Sequence, residues 1–240
     1  MRKKNMGLLL LIIIAAPLML TGCLKFDIHL TINKNGTADV DIILLAVETL
    51  VTLDKDLERD LFTGKKERLA ELGFAITDYT EKNLIGFKAT KRLQSVEEFS
   101  TLGLAGDIGL EGRDPFSVMK GVLTSTYNLD ADIDLRPLFA EHSDMFTLFS
   151  PDLRFSVTLP AKPLSHNATS VTVDGRTLTW DLSPDARNKI QFTARAPNLT
   201  AVVILLALAV VLVGAIMTVL IRRIRIIANQ HSLKAKKNNR

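Results

Sequence analysis

Between residues 24 and 32 apolar and polar side chains alternate without a break: Leu24, Phe26, Ile28, Leu30 and Ile32 against Lys25, Asp27, His29 and Thr31. A period of two predicts a strand with one buried face. Asn33-Lys34-Asn35-Gly36 is turn chemistry, since Gly takes positive φ without strain. Ala38, Val40, Ile42 and Leu44 then alternate with Asp39 and Asp41, which completes a hairpin. The pattern recurs in 122–135, where Leu129, Ala131, Ile133 and Leu135 share one face and Asp130, Asp132 and Asp134 the other. Further strands are expected over 74–79, 85–91, 152–159 and 190–195. The sequence Val171 to Val173, Asp174-Gly175 and Thr177 to Trp180 reads as a second hairpin.

Helical spacing appears in 54–72, where Leu57, Leu61, Leu69 and Leu72 form an apolar stripe. Thr63-Gly64 interrupts it, which predicts two short helices, and Gly73 stops the second. Ser95 to Phe99 reads as a capped short helix. The expected fold class is α+β: a mostly antiparallel β-sheet or open barrel of about eight strands, with two or three short helices.

Two segments are apolar without alternation. Gly103, Gly106, Gly109 and Gly112 are spaced by three, with Leu102, Leu104, Ile108 and Leu110 between them. No preceding strand or following helix supports a dinucleotide fingerprint there. The segment is either a plain insertion or a lid that touches lipid. Leu138-Phe139, Met145-Phe146 and Leu148-Phe149 are either core or a lipid-facing rim.

The ends of the chain bear targeting patterns. Arg2, Lys3 and Lys4 precede an apolar run from Gly7 to Leu20, an arrangement of secretory signals. Leu20-Thr21-Gly22-Cys23 has the aliphatic-small-small-Cys form of a bacterial lipobox. Cleavage between Gly22 and Cys23 makes Cys23 the mature N-terminus and its thiol the site of diacylation. Cys23 is the only cysteine, so the exported part has no disulfide. At the other end, residues 199–221 are 23 residues without a charge. A helix of that length crosses a hydrocarbon core of about 30 Å. Pro197 and Asn198 suit its start, and seven basic residues with no acid follow it.

The expected division is a signal peptide at 1–22, an extracytoplasmic domain at 23–198, a transmembrane helix at 199–221 and a basic cytoplasmic tail at 222–240. The expected place is the cytoplasmic membrane, lipid-anchored and single-pass, with the domain outside. This division changes the meaning of the net charge of +4. Three basic residues belong to the signal and seven to the tail, so residues 24–198 hold 20 basic residues against all 26 acids and carry −6. The basic balance is a targeting feature, and no nucleic-acid partner is implied.

No catalytic residues are expected. The four histidines, His29, His142, His166 and His231, are scattered, and neither a metalloprotease nor a nucleophile-elbow motif is present. No metal and no cofactor is expected either. Asp130, Asp132 and Asp134 lack the loop glycine and distal Glu of a calcium site, and Arg59 takes the glycine position in the 54–60 acidic run.

The stretch CLKFDIHLTINKNGTADVDI, the later VDGRTLTWDLSPDARNKIQFTARAPN and a C-terminal helix with a basic tail together resemble the LppM-type bacterial lipoprotein family. The resemblance runs over most of 20–225 and is weakest in 100–150. It implies a β-rich domain with helices around an apolar cavity, and an association of actinobacterial members with phosphatidylinositol mannoside glycolipids. It transfers no ligand residue. The expected function is a membrane-anchored envelope lipoprotein, not an enzyme, that binds a lipid or glycolipid in an apolar cavity. Its expected partners are membrane lipids and that ligand, with Leu104, Ile108, Leu110, Phe146 and Phe149 as the candidate entrance. The alternative is a protein-interaction module that holds an envelope complex.

Overall fold

The computed structural model describes residues 24–53, 58–102, 116–136 and 151–238, with the backbone alone at 50, 53, 60, 61, 200 and 224–238. The first hairpin forms as its alternation predicts. Strand β1 (Leu24–Ile32) pairs antiparallel with β2 (Ala38–Val47), with Leu24 opposite Ala46 and Ile32 opposite Ala38. Gly36 at φ +87° takes the turn position that a side chain would strain. After a one-and-a-half-turn helix α1 (Glu48–Leu53), a π-helical turn at Arg59–Thr63 runs directly into helix α2 (Gly64–Glu71). The expected break at Thr63-Gly64 is therefore absent. Gly64 is helical at φ −61°, and the register slips by a π turn while the backbone bonding continues. Gly73 at φ +81° closes the helix.

Strands β3 (Ala75–Glu81) and β4 (Leu84–Leu93) follow, then a single turn α3 (Glu98–Thr101). Next come β5 (Phe116–Lys120), β6 (Thr124–Asp134), β7 (Asp152–Thr158), β8 (Pro163–His166), β9 (Ser170–Val171), β10 (Thr177–Asp181) and β11 (Arg187–Pro197). The chain ends in the 40-residue helix α4 (Leu199–Asn238).

Among the described residues the strands form two open sheets and no closed barrel. One has seven strands in the order β3-β4-β2-β1-β7-β10-β9, and the other has four in the order β5-β6-β11-β8. All neighbours are antiparallel except β1 and β7, which run parallel at the centre of the larger sheet. Period two puts Ile28, Leu30, Val40, Ile42, Phe87, Phe155 and Val157 on one face of that sheet, each at most 3% exposed. Two covers share this face. Helix α2 lies over β4, with Phe62 edge-on to Phe87 at 6.2 Å and Lys66 5.7 Å above the Phe87 ring. The four-stranded sheet covers the other half through Phe116 and Phe192.

Helix α4 presents its apolar residues to the surroundings. Ala201–Arg223 has a mean hydropathy of 3.1 and none of it is buried in the protein. By length and composition this helix is able to cross a membrane. The helix continues past the apolar part through the basic segment, which the sequence pattern left without assigned structure.

Two glycines give opposite expectations. Gly86 sits where an added Cβ would fall on the carbonyl of Leu44 in the neighbouring strand, whereas Gly64 has open space around it in a helix. Gly86→Ala destabilises the full-length protein in detergent by about 3 kcal/mol, because a central strand pair must part. Gly64→Ala stabilises it by about 0.5–1 kcal/mol. Thermal melting followed by near-UV circular dichroism checks both signs.

Candidate functional site: the inter-sheet core and the membrane end

The two sheets meet through five aromatic side chains, and their contacts close a ring. Phe99 touches Phe116 (5.9 Å between centroids), Phe116 touches Phe192 (6.0 Å), Phe192 touches Trp180 (6.4 Å), Trp180 touches Phe155 (5.9 Å) and Phe155 returns to Phe99 (6.3 Å). Two of the five belong to the larger sheet, two to the smaller and one to α3. Edge-to-face and tilted pairs of this kind add about 0.5–1.5 kcal/mol each beyond burial. Trp180 also bears a polar N–H that must be satisfied inside the core. Its Nε1 donates to Asn167 Oδ1 at 2.8 Å. The same oxygen accepts the Gln191 backbone N–H at 2.8 Å, while Asn167 Nδ2 donates to Lys189 O at 2.7 Å. One amide thus joins the indole on the larger sheet to β11 of the smaller.

The connections around this core bear on the expected entrance. The chain changes sheet between β4 and β5, through α3 and the link that follows it, and again between β6 and β7. These two links contain Leu104, Ile108 and Leu110 in the first and Phe146 and Phe149 in the second; all five lie outside the described residues. The residues that bound these links, Leu102, Phe116, Leu135 and Leu153, are buried in the shared core. Gly22 and Cys23 also lie outside the described residues, but Leu24 immediately after them already pairs in β1.

Around His29 the opposite face of the larger sheet is polar. His29 Nε2 and Thr158 Oγ1 are 2.8 Å apart, and Thr158 Oγ1 is 2.8 Å from Thr177 Oγ1, so one chain of hydrogen bonds crosses β1, β7 and β10. Ser156 and Thr179 repeat the motif at 3.1 Å. Asp27 stands beside Arg154 across the parallel pair, yet Arg154 is committed to Asp152 at 2.7 Å and approaches Asp181 at 3.8 Å. Asp27 Oδ1 is left buried without a hydrogen bond. Burial pushes the Asp27 carboxyl above its ordinary value of 3.8, against the pull of Arg154, His29 and Lys25. Lys25 itself reaches Glu81 at 2.7 Å, and this pairing holds Glu81 below the usual carboxylate range.

The aspartate row of β6 forms a solvated face balanced by cations. Gln191 Nε2 donates to Asp130 at 3.0 Å, Arg187 reaches Asp132 at 3.4 Å, and Arg136 holds Asp134 down to about 2. The only histidine among the described side chains besides His29 is His166, whose Nδ1 accepts from Ala168 N at 3.2 Å. His142 lies outside the described residues, as does the side chain of His231.

The start of α4 is organised by Asn198. Its backbone N–H donates to Leu123 O at 2.8 Å and its Nδ2 to Gly121 O at 3.1 Å. Its Oδ1 meanwhile accepts from Ala201 N at 3.2 Å and caps α4. The capping was expected from the sequence; the bonds to the β5–β6 turn were not, because nothing local brings residues 121 and 198 together. The two ends of the domain also stand apart. Leu24 is at the end of the larger sheet where β7 starts, and there Leu182 N donates to Leu153 O and Ser183 N to Asn188 Oδ1. From Asn188 to Pro197 along β11, at roughly 3.3 Å per residue, is about 30 Å. The base of α4 lies at the far end of that strand from Leu24.

A two-sheet domain that continues from its last strand into an apolar helix is the class of protein that these features define. The family model of the LppM domain matches residues 25–196, and the chain belongs to that family. The solved NMR structure of the folded domain of LppM from Mycobacterium tuberculosis is similar at 16% identity and a TM-score of 0.47, over 75% of this chain and 94% of that one. No curated protein matches the chain.

The Asp27 environment predicts a pH dependence. A carboxyl whose folded-state pKa is raised favours folding fully below its unfolded value, and that contribution is lost as pH rises through the raised value. Asp27→Asn removes the desolvated charge. It raises the melting temperature at pH 7 relative to the unmodified protein, and the gain shrinks as pH is lowered towards 3.8. A pH series of thermal melts checks the direction.

Proposed function

We propose that this chain is a membrane-anchored envelope lipoprotein without enzymatic activity, whose domain binds a lipid or glycolipid in an apolar space between its two sheets. The observation that supports this most is where the two long links begin and end. The described residues on either side of the two long links, Leu102 and Phe116 for the first and Leu135 and Leu153 for the second, are buried in the core that the two sheets share. An acyl chain placed there gains roughly 0.8 kcal/mol per buried CH₂ before ordering costs. Family membership fits such a role.

In this reading Cys23 is the acylated residue and α4 spans the same bilayer, with the domain outside and the basic tail in the cytoplasm. Because the helix base stands about 30 Å along β11 from Asn188, at the end of the domain where Leu24 lies, both tethers reach one bilayer when that strand is inclined towards the membrane plane. A single acyl chain is a reversible anchor, whereas a spanning helix is effectively permanent.

Three experiments test the proposal. Lipid extracted from the purified full-length protein and identified by mass spectrometry distinguishes a bound lipid from a stoichiometric protein partner; the second result favours an interaction module. Ile108→Asp with Phe146→Asp abolishes uptake of a fluorescent phospholipid while the melt changes by less than about 1 kcal/mol. A collapsed melt would instead make those residues ordinary core. For the anchors, Cys23→Ser ends incorporation of labelled palmitate and leaves the protein in the membrane fraction. Palmitate incorporation that persists in the variant removes Cys23 from the reading.

A further inference from the structure

The β5–β6 turn is built of the wrong residues for a turn. Gly121 N donates to Thr124 O at 2.8 Å, so the loop between the strands is Val122-Leu123 alone. Two-residue hairpins favour Asn and Gly, because the turns that match strand twist need positive φ. Neither Val122 nor Leu123 has positive φ, so turn geometry does not call for them. Nor does packing, since Val122 is 71% exposed and Leu123 58%, with Met119 beside them at 61%. Three large apolar side chains at one tip are more than scattered surface residues.

Their position supplies the reason. Asn198 holds the tip through Leu123 O and Gly121 O with the same residue that caps α4. The apolar span starts at Ala201, three residues on, which is about 5 Å along the helix axis. The turn is therefore clamped level with the start of the span. Gly121 allows this close geometry, because a Cβ there would lie 2.8 Å from Thr124 O. Two exposed cations flank the tip, Lys120 on β5 and Arg195 on β11. The nearby acid is Glu97, which Lys120 pairs at 3.3 Å. An apolar tip with a basic rim suits the boundary between acyl chains and anionic headgroups.

We propose that Val122 and Leu123 are seated in the outer leaflet of the bilayer that α4 crosses, as a sheet-borne contact clamped to the helix by Asn198. This rests on the reading of α4 as a membrane span and is independent of any lipid bound between the sheets. The contact fixes the angle between domain and helix, since a helix alone would leave the domain free to swing about Asn198.

The test uses the full-length protein in vesicles of phosphatidylcholine mixed with the anionic lipid phosphatidylglycerol, made with or without bromine on the acyl chains. Bromine quenches tryptophan only within the bilayer. Trp180, buried at 4% exposure, supplies the baseline in the unmodified protein. Leu123→Trp is expected to lose at least half of its added emission in brominated vesicles and to emit to the blue of a solvated indole. Val122→Trp is expected to behave alike, so one misfolded variant does not decide the result. Added emission that is unquenched at both positions overturns the proposal. Val211→Trp, in the middle of the span, separates the causes: if it too is unquenched, the membrane reading of α4 has failed and the tip contact falls with it, whereas quenching there with none at 122 and 123 defeats the tip contact alone.

Discussion

A seven-stranded sheet with one apolar face has to be covered, and this domain covers it with two different elements side by side. Helix α2 takes the half over β4 and the small sheet takes the half over β7 and β10. The second cover is the demanding one, because two twisted sheets meet well only where large side chains fill the gap between them. The closed circuit of Phe99, Phe116, Phe192, Trp180 and Phe155 does so.

Two asparagines set the register that apolar packing leaves loose. Asn167 satisfies the Trp180 indole and the β11 backbone with one amide, and Asn198 satisfies the β5–β6 turn and the first turn of α4 with another. Both use the donor and the acceptor of the amide at once. An Asp in either place would lack the donors, and a Leu would leave backbone groups without partners. β11 touches both asparagines and continues into α4, so it is the element through which the sheet core and the apolar helix are mechanically joined.

Charge is arranged by face. The apolar side of the large sheet is dry, while its outer side is stitched by hydroxyls, His29 and ion pairs at half-exposed positions such as Lys88–Asp41. Surface pairs of this kind stabilise little individually. Their effect is on the edges of the sheet, where Lys25 reaches from the central strand to Glu81 on β3. Asp27 is the exception on that face, a carboxylate that the fold desolvates without giving its buried oxygen a partner.

The sequence by itself determined what short-range physics controls. Alternation placed β1, β2, β4, β6, β7 and β11 within a few residues of their ends, and Gly36, Gly73 and Gly175 take the positive φ that their turns require. The apolar run after Asn198 defined a helix long enough to cross a membrane, because length and hydropathy need no partner. Strands β5 and β8 were not legible: each has at most five residues, and Pro163 reads as a stop although it opens an edge strand that needs no N–H from it. Thr63-Gly64 read as a break, but tertiary contacts of Phe62 and Leu69 hold the helix through it. The parallel pairing of β1 with β7, the aromatic ring, the buried Asp27 and the clamp between Asn198 and the β5–β6 turn all join residues dozens of positions apart. No local pattern encodes such pairs, since each residue alone fits several environments. Only closure of the two sheets over one another brings the partners to hydrogen-bonding or contact distance and decides which of those environments each one has.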